Sequence, residues 1–206
     1  MRKVTIILSI LALVASGCKG NKTQQTANNE IAQENLITTA GVGIFQYEKP
    51  IPFDNKDYTI KRETFEIEGD EQVIFNVFQN GEQLVEITPI GEKYDKVGRH
   101  LKIFSSKFKT SEGIGVGSTI EEFFLAYPNS KVRLSCAGWF NQYTNQFYIH
   151  TELENGMVIY AELSSDDFLK KVEDFCSGRG SDDFDGVDLQ KSDFKKGAKV
   201  SELNIL

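Results

Sequence analysis

Histidine is almost missing from this 206-residue chain, which has only His100 and His150. Neither stands at ligand spacing to a cysteine, so no zinc site suggests itself. No G-x-S-x-G elbow and no H-E-x-x-H motif occurs, which removes two common signatures of hydrolytic enzymes. Carboxylates alone can cleave glycosides, yet no pair stands out among the 30 acidic residues. A non-enzymatic protein without metal or cofactor is the expectation. Basic residues are also in deficit, 23 against 30 acidic ones. That balance argues against nucleic acid or anionic lipid as a partner held by bulk charge. Long apolar runs are lacking too. The longest, Val4 to Val14 with Thr5 and Ser9 inside it, has about half of the ~20 residues that cross a bilayer.

What surrounds that run is informative. Arg2 and Lys3 precede it, the small residues Ala15-Ser16-Gly17 follow, and Cys18 comes directly after them. Charged start, apolar middle and small-residue end make the layout of a secretory signal. The string Val14-Ala15-Ser16-Gly17-Cys18 resembles the lipobox of bacterial lipoproteins. The resemblance implies that residues 1–17 are removed, that the Cys18 thiol receives a diacylglycerol, and that the new amino terminus is acylated with palmitate. More than one acyl chain anchors a protein stably, whereas one holds it marginally. The implied location is the cell envelope, lipid-anchored in the outer membrane on its periplasmic or surface face.

Cleavage would leave 206 − 17 = 189 residues, enough for one substantial core or two small ones. It would also remove Arg2 and Lys3, giving 21 basic against 30 acidic residues and a net charge of −9. Lys19 to Asn35 is rich in Asn, Gln, Thr and Lys without apolar periodicity, so it reads as a disordered tether. A tether of that length spans a root-mean-square ~20–25 Å. The expected organisation is a signal over 1–17, lipidated cysteine and tether over 18–37, and a globular domain over 38–206.

Within that domain, Val73 to Phe78 runs into Asn80-Gly81 and then Leu84 to Ile87. Asn-Gly supplies the two left-handed residues of a type I′ turn, so a β-hairpin is predicted. Its strands are apolar on both faces, which suggests a central position. Tyr58 to Ile60, Phe65 to Ile67 and Leu101 to Phe104 read as shorter strands. Ser118 is predicted to cap a helix, with Glu121 completing a capping box. Ile120, Phe123, Phe124 and Tyr127 then form its buried face, and Pro128 stops it. Alternation returns at Val132-Leu134-Cys136, at Phe147 to Leu153, and at Met157 to Leu163, the last two joined by Asn155-Gly156. A second amphipathic helix capped by Ser164 or Ser165 is expected to carry Phe168, Leu169, Val172 and Phe175. Val200 to Leu206 reads as a final strand. The fold class is therefore α+β: an antiparallel β-sheet with two short amphipathic helices packed on it.

Four segments invite chemistry. Ser111 to Thr119 is glycine-rich and opens a helix, as phosphate cradles do; a P-loop would need lysine where Gly117 stands, so a tight turn is the plainer reading. The run Gly117 to Phe123 resembles the helix start of small envelope lipoproteins of the outer-membrane-assembly and β-lactamase-inhibitor-like type. That resemblance, over residues 101–163, implies a helix on an antiparallel sheet and transfers no catalytic residue. Ser181 to Asp188 is acidic, but an EF-hand register puts Ser192 where a bidentate glutamate is required; a solvated loop and an irregular calcium site both stay open. Cys136 and Cys176 are a candidate disulfide worth at most ~4 kcal/mol, or else two buried thiols.

Trp139, Phe140, Tyr143 and Tyr148 make the aromatic concentration of the chain, flanked by Asn and Gln. Rings with amides suit sugar stacking or a protein hot spot, and they equally suit a core at a hairpin end. The leading expectation is a lipid-anchored interaction or assembly module whose partner is an envelope protein. The rival is a surface protein that binds or processes glycans or peptides through the aromatic hairpin.

Overall fold

Strands with a two-residue period put alternate side chains on opposite faces, and nearly the whole folded part obeys that rule. The structure is a computed structural model that describes residues 31–129, 132–134, 146–152, 158–164, 167–170, 174 and 187–205. These form a mostly antiparallel β protein with one short helix. Three two-residue strands, β1 (Ile37–Thr38), β2 (Gly41–Val42) and β3 (Phe45–Gln46), make a small sheet in sequence order. Ahead of them Gln33–Asn35 form a 3-10 turn, and Leu36 bridges Lys109.

The main sheet has nine strands: β4 (Thr59–Ile67), β5 (Asp70–Gln79), β6 (Glu82–Ile90), β7 (Lys96–Ile103), β8 (Val132–Leu134), β9 (Gln146–Glu152), β10 (Val158–Ser164), β11 (Val187–Leu189) and β12 (Glu202–Ile205). Their spatial order is β11-β8-β9-β10-β12-β7-β6-β5-β4, and every neighbouring pair is antiparallel. The expected final strand exists, and it occupies the centre of the sheet, between β7 and β10.

The predicted Asn80-Gly81 hairpin is present, with both residues at positive φ (52° and 85°) as a type I′ turn requires. It does not lie at the centre: β5 is next to the edge strand β4. Tyr58 to Ile60 and Phe65 to Ile67 are not separate strands. One strand, β4, runs through Lys61-Arg62-Glu63-Thr64, because an edge strand exposed on both faces needs no apolar alternation. A second two-residue turn, Glu68-Gly69 with φ of 52° and 91°, joins it to β5.

Register organises the core. Ile60, Val77, Val85, Ile103, Leu203, Ala161, Ile149, Leu134 and Val187 stand opposite one another in a row across all nine strands. Two residues along, Phe75, Ile87, Leu101, Ile205, Ile159, Thr151, Val132 and Leu189 form a parallel row on the same face. Onto this core pack Ile37, Val42 and Phe45 from the small sheet, together with Phe108, Ile114 and Val200.

The helix α1 (Ile120–Ala126) adds Ile120 and Phe123 to the same core. Its start corrects the predicted cap by one residue. Thr119, not Ser118, is the N-cap, accepting from the Glu122 amide while the Glu122 carboxylate accepts from the Thr119 amide. Ser118 is diverted because its hydroxyl accepts from the Gly115 amide at 3.1 Å. Phe124 is only half-buried, so Phe123 carries the packing.

The second helix does not start where its pattern predicts. Ser164 is the last residue of β10, Phe168 forms a bridge with Phe194, and Leu169 is 64% exposed. Phe168 instead stacks against the Phe194 ring at 5.1 Å, and Phe194 meets Phe124 at 6.4 Å. Val172 and Phe175 lie outside the described residues.

Candidate functional site

Most of the side chains singled out from sequence fall outside the described residues: Cys18, Cys136, Trp139, Phe140, Tyr143, Cys176 and the 181–186 part of the acidic segment. Tyr148 is placed by its backbone, in β9 opposite Glu162 of β10. Val187 and Asp188, at the end of the acidic segment, belong to β11.

The glycine-rich turn is fully described, and most of its amides are already committed. Gly113 donates to the Thr110 carbonyl, Ile114 to the Thr110 hydroxyl, Gly115 to the Ser118 hydroxyl and Gly117 to the Val200 carbonyl. Ser118 donates to the Gly115 carbonyl and Ile120 to the Ala198 carbonyl. The helix N-terminus holds a carboxylate of its own, that of Glu122, whose acidity those bonds to Thr119 increase. An anion would have to displace these partners, so the turn is a structural clasp. Tyr127 completes it, donating its hydroxyl to Glu112 at 2.7 Å and accepting from the Thr110 hydroxyl at 2.6 Å. Burial and the Glu112 bond push the phenol well above its ordinary range. The Tyr127 and Ser111 bonds lower the Glu112 carboxyl despite its opposing desolvation.

A different feature emerges between the two apolar rows. One residue along from each lies a third row, on the opposite face: Lys61, Asn76, Glu86, Lys102, Asn204, Tyr160, His150, Arg133 and Asp188, each opposite the next. Every strand of the nine contributes one polar residue, and no aliphatic residue interrupts the line. Neighbouring strands lie about 4.8 Å apart, so the row is roughly 38 Å long.

Its central part is not a loose solvent-facing fringe. Asn76 and Asn204 are only 6% and 5% exposed, and Glu202, on the same strand and face as Asn204, is 6% exposed. Lys102 pairs with the Glu202 carboxylate at 3.0 Å, and the Asn204 amide donates to the same oxygen at 3.0 Å. Gln83 donates to Asn76 at 2.8 Å. Glu86 sits between Asn76 and Lys102 in the row, and burial raises its carboxyl above the ordinary range. Lys102 opposes that rise, while Glu202 and Glu63 add to it. On the same face, burial and Lys102 lower the imidazole of His100.

Buried polar groups are retained at a cost unless they are paired, and here they are paired with one another. Within each strand the polar position was visible as alternation; the row was not, because it depends on register. Two irregularities set that register, one at Val77/Phe78 and one at Ile87/Pro89. Pro89 has no amide to donate to the ladder, and such residues sit at bulges. Opposite that bulge, a Cβ on Gly98 would collide with the Thr88 carbonyl, so glycine lets the strands close up.

No family model and no curated protein matches this chain. The solved structure of the uncharacterized protein yfeY from Escherichia coli is similar, with a TM-score of 0.47 and 14% identity over 81% of this chain and 95% of that one.

Proposed function

We propose that this chain is a lipid-anchored envelope protein whose β-sheet domain is a non-enzymatic interaction module, with the polar face of the sheet as its contact surface. The observation that supports it is the cross-strand row. A row roughly 38 Å long, with Lys61 and Asp188 exposed and Glu86 and Lys102 half-buried about the bonded Asn76 and Asn204, suits a macromolecule, since small-molecule sites are compact clefts that enclose their ligand. The charged positions along the row are of both signs, Lys61, Lys102 and Arg133 against Glu86 and Asp188, which favours specificity over bulk attraction. Anchoring through Cys18 rests on the lipobox-like string and would hold this surface near the membrane.

The test uses His100 and Arg99, adjacent exposed residues of β7 on opposite faces. A photoreactive residue at His100, in intact cells, should capture one defined envelope protein, while the same residue at Arg99 should not. Equal capture from both faces, or none from either, would argue against the reading. Cys18→Ser should leave an uncleaved precursor or release the domain from the membrane fraction; unchanged processing and retention would remove the anchoring half of the proposal.

A further inference from the structure

The outer edge of β4 offers a second surface, and we infer that it pairs with the β4 of a second copy of this chain about a two-fold axis through Thr64. This goes beyond the polar-face reading and does not depend on it. Glu68-Gly69 form a two-residue turn, so Ile67 and Asp70 are the closing hydrogen-bonded pair. Alternation then commits Thr59, Lys61, Glu63, Phe65 and Ile67 to β5 and turns the amides and carbonyls of Ile60, Arg62, Thr64 and Glu66 outward. Among the described residues no strand pairs with that side of β4.

Charged edges usually prevent such pairing; here the charges select a register. A two-fold axis perpendicular to the sheet sets one residue opposite its own copy. Axes through Lys61, Arg62, Glu63 or Glu66 put like charges face to face, which is unfavourable. Axes through Ile60 or Phe65 shorten the overlap. The axis through Thr64 pairs residues 61–67 along their length and places Arg62 opposite Glu66 of the second copy, twice.

That contact answers an imbalance inside one molecule. Glu66 stands directly opposite Glu71 across the hairpin, and Arg62, whose own partner is Phe75, reaches along the strand to Glu71 at 3.8 Å. A second Arg62 opposite Glu66 would neutralise the pair. On the other face, the exposed side chains of Phe65 and Ile67 meet the stems of the second copy's Glu63 and Lys61, whose methylenes cover apolar surface.

Oxidative crosslinking of the full-length protein in mild detergent tests this. A Thr64→Cys pair would face across the axis at a Cα separation of about 5.5 Å, inside the range a disulfide spans. Thr59→Cys is the control, since its copies would lie more than ~30 Å apart. The expected result is a covalent dimer from T64C well above the level given by T59C and by the unsubstituted chain. Adding R62E should weaken association by roughly tenfold or more, and R62E with E66R should restore it. Equal crosslinking at both positions, or no rescue by the charge swap, would overturn the assignment.

Discussion

The apolar and polar rows of the main sheet use adjacent residues of the same strands, yet they place opposite demands on the chain. Ile103 and Lys102 show the contrast at one site. Ile103 is fully buried in a line of aliphatic side chains, where only shape matters. Lys102 is one residue away, in a line where each partner must have the right charge and hydrogen bonds. An apolar row tolerates exchange among side chains of similar volume. A buried polar row does not, because removing one partner strands the other. The polar row is therefore the more specific of the two.

That contrast can be broken most severely from the apolar side. Ile103→Ala should cost about 2–5 kcal/mol, through lost burial and the cavity left at the middle of the sheet. A urea titration that shifts the midpoint without changing its slope would report it. Lys102→Ala should cost about 1–3 kcal/mol, because it takes the ion-pair partner from the buried Glu202 carboxylate. Replacing Lys102 and Glu202 together by methionine should recover most of that loss if pairing, rather than the charges themselves, is what the row requires. A double variant as unstable as the single one would show otherwise.

Gly98→Ala probes the register that separates the rows. Its Cβ would meet the Thr88 carbonyl, so a loss of about 1–3 kcal/mol is expected. Altered amide-exchange protection in β6 and β7 would distinguish a register disturbance from simple strain. The smallest effect is a pH dependence. Burial raises the Glu86 carboxyl, so the folded state holds that proton more tightly than the unfolded chain. Stability is then full below the ordinary carboxylate range and falls as pH rises through the elevated value. Glu86→Gln should flatten the stability profile in that window, with the wild type gaining relative to the variant as the solution is acidified. Parallel profiles for the two proteins would rule this out.

Much of the local architecture was written in short-range patterns. Asn80-Gly81 identified its hairpin because its residues supply the backbone angles the turn needs. The companion turn at Glu68-Gly69 carries no such signal, since glutamate is not a residue that favours positive φ. The helix was legible from Ile120 and Phe123, but the cap was misplaced because Ser118 and Thr119 are equivalent in sequence and only the Gly115 amide decides between them. Phe168 and Leu169 fitted a helical face and lie in no described helix; the Phe194 ring outweighed that local periodicity. The polar row was out of reach, because alternation fixes faces within a strand and says nothing about which strands are neighbours.

The position of β12 has a consequence for how the protein is made. It follows every other strand in chain order, yet it joins β7 on one side to β10 on the other. While the ribosome or a translocon feeds the polypeptide through, β4 to β7 can zip as successive hairpins, and β9 with β10 can pair nearby. Those two half-sheets share no strand contact until residues 202–205 arrive to bridge them. A chain whose hairpins pair before β12 is available exposes two inner edges, the kind of species that aggregates. A chaperone that shields those edges during synthesis would act on the interval that β12 brings to a close.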